Sequence, residues 1–397
     1  MINYFRKYLR RVHFSAPASS DLVIFDETNG KLIQSVVPEG LTVSIFKRRP
    51  MEFHITPGII LSFLANLRYI KFKNSGFSNR SLFYKISRFL LCIYIKSDLM
   101  SRNPKAIVTS IDNCSKFAWL SENYQIAPCI AIQNGFRLTY EANSLDKYYC
   151  QHLFCFGQRE IADFSRLNYR VDNFYPVGSL NLSQNFDHSL ANSKPIYDLL
   201  VVSCWRGNIG YAKDVEDSMK AMRIMDETLA TYLKNRNLKT AVILRSERDS
   251  DQWFMPEVGL TEEDYYKSIY GDLIEIIDVN FAQRNIYPVM QSAEVIIAGF
   301  STTCLIEAYA MRKKILYMNF CGNNKYHCDF KPEILFDEHD DNSPSFDSKL
   351  NALLEISSKE YVMKHEEAME FYMRDPLISP RDHIRKGIND IIFSKLD

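Results

Sequence analysis

Short apolar runs alternate with amphipathic segments along most of the chain. Between the runs of the first half lie helical patterns at Pro57–Leu67, Leu82–Leu99, Cys114–Glu122 and Arg159–Leu167. Strands that alternate with helices favour parallel sheets covered by helices on both faces. The apolar runs typical of buried strands are Leu22–Phe25, Leu41–Phe46, Ala106–Thr109, Cys129–Ile132, Leu153–Phe156 and Phe174–Val177.

The same alternation starts again in the second half of the chain. Helical patterns cover Val215–Asn235 and Thr302–Ala310, and a polar helical tail begins at Pro344. The stretch Asn181–Pro195 is rich in Asn and Ser and is typical of a linker. We therefore predict an α/β protein of two Rossmann-like domains, residues 1–185 and 186–397, facing a central cleft. The predicted strands of the second half are Leu199–Ser203, Ala241–Leu244, Ile274–Asp278, Val295–Ala298 and Ile315–Met318.

Composition agrees with an intracellular protein of two domains. A chain of 397 residues is too long for one ordinary core. The nine cysteines show no paired spacing, which indicates a reducing compartment. Cys321, His327 and Cys328 form the nearest approach to a metal site, but a reduced loop is the ordinary alternative, and we predict no metal. The sequence has no signal-peptide pattern and no apolar run of about 18 residues, so we expect a cytoplasmic protein.

The formal net charge of zero hides an asymmetry between the two halves. Residues 1–185 contain 23 Lys and Arg against 13 Asp and Glu, which leaves 25 against 35 for the remainder. A basic half suits a polyanionic partner or a membrane surface. Residues 4–11 mix aromatic and basic side chains as interfacial helices do, with a solvated basic helix as the alternative. No nucleic-acid motif is present, so we expect no nucleic-acid partner.

One segment of the second half has the features of a phosphate site. The strand Val295–Ala298 ends at Gly299, and a helix opens shortly afterwards with Glu307 in its second turn. Hydroxyls and backbone N–H groups at a helix N-terminus favour a bound phosphate, although hydroxyl residues also cap ordinary helices. The glutamate can reach hydroxyls of a bound sugar or ribose. The residues predicted to bind the donor here are Gln283, Ser301, Thr302, Thr303 and Glu307.

Polar residues also follow the other strands, where ligands of open α/β sheets bind. Arg206 follows the first strand of the second domain, and Arg245, Ser246 and Glu247 follow the next. Guanidinium groups suit a phosphate or a carboxylate. Ion pairs at the surface are the alternative explanation for this charge pattern. Asn134 follows a strand of the first domain and is a further candidate for ligand binding.

Three carboxylates are candidates for catalysis. Asp214 and Asp217 follow the first strand of the second domain, where an aspartate can act as a nucleophile. Glu160 follows a strand of the first domain and opens a helix, where it can exchange a proton with an acceptor hydroxyl. Acidic residues are also common in the first turn of helices for purely structural reasons.

These motifs resemble GT-B glycosyltransferases of bacterial surface polysaccharides. More narrowly, the chain is similar to the retaining β-Kdo transferase domains of O-antigen biosynthesis enzymes. The resemblance spans most of the chain and rests on five motifs: Val23–Asp26, Gln133–Gly135, Phe156–Glu160, Ser203–Gly207 and Gln283–Glu307.

The resemblance implies CMP-Kdo as the donor and a lipid-linked oligosaccharide as the acceptor, at the inner face of the plasma membrane. It also implies a metal-independent reaction through an aspartate nucleophile. Asp214 matches this nucleophile best, and Asp217 is the alternative. The chain departs from the pattern at Arg245-Ser246-Glu247, where related enzymes carry a basic residue and a histidine. Another CMP-activated ulosonic acid, another nucleotide sugar or a polyol phosphate therefore remains open as the donor, as does a non-catalytic glycan-binding assembly protein.

Overall fold

A computed structural model describes most of the chain, which divides into two compact units. Unit 1 comprises residues 1–134, 141–181 and 379–397, and unit 2 comprises residues 135–140 and 182–378. The main division lies close to the predicted boundary, but residues 379–397, which we assigned to the second domain, belong to unit 1. The described ranges are 11–48, 51–69, 82–137, 148–164, 169–190, 193–203, 212–245, 260–277, 286–299, 302–320, 330–338 and 344–394.

Strands and helices alternate through both units, as the sequence predicts. The strands in chain order are β1 (Val12–His13), β2 (Leu22–Phe25), β3 (Val43–Phe46), β4 (Phe53–His54), β5 (Ala106–Thr109), β6 (Cys129–Ile132), β7 (Tyr148–Cys155), β8 (Tyr169–Pro176), β9 (Tyr197–Val202), β10 (Thr240–Ile243), β11 (Glu275–Ile277), β12 (Ala293–Ala298), β13 (Lys314–Asn319) and β14 (Leu335–Asp337). Every predicted strand is present, and β1, β4 and β14 are additional.

The α-helices follow the predicted pattern closely. In chain order they are α1 (Gly30–Gln34), α2 (Pro57–Tyr69), α3 (Leu82–Arg102), α4 (Ser115–Asn123), α5 (Gln158–Phe164), α6 (Leu180–Asn185), α7 (Ala212–Leu233), α8 (Glu262–Tyr270), α9 (Ile286–Gln291), α10 (Thr303–Ala310), α11 (Phe346–Glu355), α12 (Ser358–Tyr372) and α13 (Pro380–Phe393). No helix in these described ranges has an apolar stretch sufficient to cross a bilayer.

Unit 1 is built on a six-stranded parallel sheet in the order β3-β2-β5-β6-β7-β8. Alternate residues of its strands enter two separate cores, as the period of two in a strand requires. Val23 and Phe25 pack on one side with α3 and α4. Leu22 and Ile24 pack on the other side with α1 and α13. Helices therefore cover both faces, as we predicted.

The C-terminal helix α13 completes unit 1 because its apolar side fits the sheet. Ile384 and Ile388 are fully buried in the core that contains β2 and β5. A Cβ atom on Gly387 would lie 2.6 Å from the ring of Phe154, so only glycine allows this close approach. Periodicity predicted the helix, but it did not indicate which sheet the helix covers.

Unit 2 has a six-stranded parallel sheet in the order β11-β10-β9-β12-β13-β14. Its first strand, β9, lies at the centre, with β10 and β11 on one side and the later strands on the other. The strand order therefore reverses between β9 and β12. In open parallel sheets, ligands bind beyond the carboxyl ends of the strands at such a switch point. Both units are Rossmann-like, which confirms the predicted fold class.

Candidate functional site

Helix α10 begins beside the switch point of unit 2, shortly after β12 ends. Gly299 follows β12, and a Cβ atom there would lie 2.0 Å from the sulfur of Met225 in α7. Met225 is buried, so a larger residue at position 299 would force it to move. The glycine thus allows the chain to leave the strand close to α7.

The hydroxyls of Thr302 and Thr303 both hold backbone groups of unit 2. Thr302 caps α10 by accepting a hydrogen bond from Leu305 N at 3.3 Å, so it has the ordinary capping role. Thr303 Oγ1 accepts a hydrogen bond from Phe136 N at 2.9 Å. Because a hydroxyl can accept and donate at once, each can still donate its proton to a ligand oxygen.

Glu307 lies inside unit 2 and is held by a tyrosine. Its side chain is 2% exposed, and the Tyr287 hydroxyl lies 3.2 Å from both carboxylate oxygens. This contact joins α9 to α10. Through this contact Glu307 supports the helix on which Thr303 lies, and its contact with a sugar hydroxyl stays a prediction.

Arg245 is the predicted cation that the structure brings to the start of α10. It follows β10 and is exposed. Burial and the Glu307 carboxylate raise the pKa of the Cys304 thiol to about 12, and the Arg245 guanidinium acts in the opposite direction. The charge of Arg245 therefore acts on Cys304, the second residue of α10. A thiol with this pKa is protonated at neutral pH and is no nucleophile.

Glu262 holds the loops that follow β9 and β10, and sequence reasoning missed it. Its carboxylate accepts a hydrogen bond from the Ser203 hydroxyl and another from Arg245 N, the latter at 2.8 Å. Its side chain is buried at the first position of α8. The N-cap residue Thr261 marks the helix start in the sequence, but no signal there indicates which loops the glutamate binds.

Glu160 has a similar bracing role in unit 1. The fully buried carboxylate accepts hydrogen bonds from Gln133 Nε2 and Gly157 N, each at 3.1 Å. Gln133 Oε1 in turn accepts one from Phe156 N at 2.9 Å. Burial raises the pKa of Glu160. In this position the carboxylate joins the loops after β6 and β7.

Asn134 lies in unit 1, in the part of the chain that we predicted as the first domain. Its backbone N–H donates to Asp112 Oδ1 at 3.2 Å, and Asp112 is itself buried. This bond fixes the chain directly after β6.

Several predicted site residues lie outside the described part of the chain. The backbones of Asp214 and Asp217 lie in the first two turns of α7, the helix that follows β9, but their side chains are not among the described parts of the chain. Five further residues lie wholly outside the described ranges: Arg206, Ser246, Glu247, Gln283 and Ser301. Within the described ranges, no three His, Cys, Asp or Glu side chains form a group that could hold a metal ion.

A basic cluster that the sequence did not indicate lies at the carboxyl edge of the unit 1 sheet. Arg48 forms an ion pair with Asp26, directly after β2, and donates to Cys114 Sγ at 2.8 Å. Burial lowers the pKa of Lys116, and the nearby charges of Arg48 and Arg88 lower it further. Three cations therefore converge near the start of α4. Such a cluster favours an anionic ligand.

Comparison with known proteins shows remote likeness to solved structures only. No protein family and no curated protein matches the chain. A glycosyltransferase from Rickettsia africae ESF-5 is 12% identical with a TM-score of 0.47, covering 96% of this chain and 99% of that one. UDP-N-acetylglucosamine 2-epimerase from Rickettsia bellii is 13% identical with a TM-score of 0.47, covering 95% and 96%. Arabidopsis thaliana UGT89C1 complexed with UDP is 13% identical with a TM-score of 0.48, covering 94% and 99%. Likeness at this level assigns no activity to the chain.

Proposed function

We propose that this chain is a glycosyltransferase of the GT-B kind and that unit 2 binds a nucleotide sugar. The observation that carries the proposal is the start of α10 at the switch point of the unit 2 sheet. Thr302 and Thr303 lie there, and Arg245 is nearby. A helix N-terminus with hydroxyls and a guanidinium favours a phosphate ester, and the two Rossmann-like units agree with this class.

The finer proposal is that the donor is CMP-Kdo. CMP carries a single phosphate, and the charge that develops on it as it leaves can be stabilised by the helix N-terminus together with an arginine. The Kdo carboxylate needs a cation of its own, for which Arg206 and Arg245 are the candidates. We propose that transfer needs no metal ion for the same reason.

The proposed mechanism is a double displacement with retention. An aspartate carboxylate, Asp214 or in its place Asp217, attacks the anomeric carbon, the bond to the CMP phosphate breaks, and CMP leaves. The acceptor hydroxyl then displaces the aspartate and gives its proton to a base. Glu160 is not suited to be this base, because its buried carboxylate holds two loops.

We further propose that the acceptor is a lipid-linked oligosaccharide at the cytoplasmic face of the plasma membrane. The basic cluster of Arg48, Arg88 and Lys116 supports an anionic group in the acceptor, because it gathers three cations around the single carboxylate of Asp26 that pairs with Arg48. The cluster lies in unit 1, which we propose as the acceptor side.

The experiment is donor turnover with CMP-Kdo and a glycolipid extract, followed by NMR of the product. The proposal predicts release of CMP, a product of retained anomeric configuration, and an unchanged rate with EDTA. Turnover of a UDP sugar in place of CMP-Kdo would support a glycosyltransferase but contradict CMP-Kdo as its donor. Binding of glycan without turnover of any nucleotide sugar would favour the non-catalytic assembly protein.

A further inference from the structure

Exposed apolar side chains concentrate on one helix pair of unit 1. Leu61 of α2 is 67% exposed, and Leu82 and Phe83 of α3 are 66% and 81% exposed. Helices α2 and α3 pack against each other and leave these side chains on the outside. The nine residues that define this α2–α3 surface are Ile55, Ile60, Leu61, Leu64, Leu82, Phe83, Tyr84, Ile86 and Leu90.

Helix α3 is divided between a buried half and a half that protrudes from the core. All its buried residues lie between Cys92 and Arg102, whereas none of residues 82–90 is buried. Helices of globular proteins normally turn their apolar stripe to the core. A contiguous apolar surface that faces outwards marks a site of interaction with a partner or a membrane.

The sequence segment that carries this surface has charges of one sign. Residues 55–97 contain seven Lys and Arg and no Asp or Glu. The first acidic residue after them, Asp98, is fully buried and paired with Arg102 at 2.6 Å. The cations that belong to α2 and the first turns of α3 are Arg68, Lys85 and Arg88. The segment 55–97 therefore combines exposed large apolar side chains with Lys and Arg and with no acidic residue.

We propose that the α2–α3 surface docks on the face of a bilayer that contains anionic phospholipid. Apolar side chains of an interfacial helix enter the boundary between headgroups and acyl chains, and nearby cations bind the anionic headgroups. A second copy of the chain fits less well, because a symmetric contact would set the same cations against each other. The inference goes beyond the proposed function, since vesicle binding needs neither donor nor acceptor.

The test is sedimentation of the full chain with vesicles of phosphatidylcholine, alone or with about one part in four of phosphatidylglycerol. We expect binding to the anionic vesicles that weakens as the salt concentration rises. The double variant Leu61→Ser/Phe83→Ser should bind about tenfold more weakly, because two exposed apolar side chains are lost. Lys85→Glu should weaken binding to anionic vesicles only.

The matched control is the double variant Met363→Ser/Leu377→Ser, whose residues are 74% and 56% exposed in unit 2. It should bind vesicles like the wild type. Circular dichroism and light scattering check that every variant is folded and show its oligomeric state. Because the substituted side chains are exposed, we expect the fold to persist.

Three results would overturn the proposal. The first is a wild-type chain that does not sediment with anionic vesicles. The second is a wild-type dimer that Leu61→Ser/Phe83→Ser converts to a monomer, which would make a second copy the occupant. The third is loss of vesicle binding on deletion of residues 2–11 while Leu61→Ser/Phe83→Ser still binds normally, which would assign the membrane contact to the N-terminal segment.

Discussion

Thr303 Oγ1 accepts a hydrogen bond from the backbone N–H of Phe136 at 2.9 Å, although the two residues are 167 positions apart in the chain. Thr303 is the first residue of α10, so this bond ties the start of the helix to the segment 135–140. A Cβ atom on the neighbouring Gly135 would lie 3.3 Å from the same oxygen, which shows how closely this segment approaches the helix.

Thr303→Val tests this bond. Valine keeps the shape but leaves the Phe136 N–H without its acceptor, so we expect a loss of about 1 kcal/mol in the free energy of unfolding. Thr303→Ser keeps the acceptor and is the control. Urea unfolding measures both, and a Thr303→Val variant as stable as Thr303→Ser would show that the bond contributes little.

Glu262→Gln should destabilise unit 2. The carboxylate accepts from the Ser203 hydroxyl and from Arg245 N, and a neutral amide makes weaker bonds in a buried place. We expect a loss of about 1–3 kcal/mol in the free energy of unfolding. Glu263→Gln is the matched control, because Glu263 is only part-buried and pairs with Lys267 on the helix surface. Equal thermal midpoints for the two variants would contradict the bracing role.

Glu160→Gln separates a structural role from a catalytic one. Since the carboxylate joins two loops of unit 1, we expect reduced thermal stability. The pH profile of turnover per folded molecule should stay unchanged, because no proton is exchanged with the acceptor. Loss of the acidic limb of that profile, the fall in rate at low pH, in Glu160→Gln would restore Glu160 as the base.

Asp226 makes stability depend on pH. Its carboxyl is fully buried and accepts from the hydroxyls of Tyr265 and Tyr270 at 2.8 and 2.7 Å. Burial raises its pKa from 3.8 to about 7. Between these values the native state holds a proton that the unfolded chain has released. This group's contribution to stability therefore falls by about 1.4 kcal/mol per pH unit as the pH rises, and it levels off above the folded pKa.

Asp226→Asn removes this titration, so the variant should gain stability relative to the wild type between about pH 4 and pH 7. Urea midpoints of both proteins at about pH 5 and about pH 8 provide the measurement. A difference between the two proteins that is the same at both pH values would show that Asp226 keeps an ordinary pKa.

Sequence periodicity was sufficient to predict the strands and helices, but it did not predict which distant residues contact each other. Strands such as β5 and β6 are short, wholly buried runs that are apolar except for Thr109, and their predicted limits match the structure. The contacts of the site join distant positions: the Ser203–Glu262 bond spans 59 residues and the Thr303–Phe136 bond spans 167. A local pattern carries no information on such pairs.

The same reason explains why the sequence did not indicate the contacts that Glu160 and Glu307 make within the protein. A glutamate in the first turn of a helix looks alike in sequence whether it faces solvent or a core. Burial distinguishes the two cases, and Glu160 is fully buried. The assignment of α13 to unit 1 depends likewise on which sheet has an uncovered apolar face, which only the folded chain reveals.

We propose above all that the start of α10 and Arg245 bind the phosphate of a cytidine nucleotide. Isothermal titration of CMP against the wild type, Arg245→Ala and Thr302→Val tests it most directly, with Lys239→Ala as the control because Lys239 lies at the opposite end of β10, beside Thr240. We predict saturable binding of CMP that is tighter than that of UDP. Arg245→Ala and Thr302→Val should each weaken it about tenfold, by the loss of a contact to a charged group, and Lys239→Ala should not change it. CMP affinity that is the same in all four proteins, or tighter binding of UDP, would contradict the account.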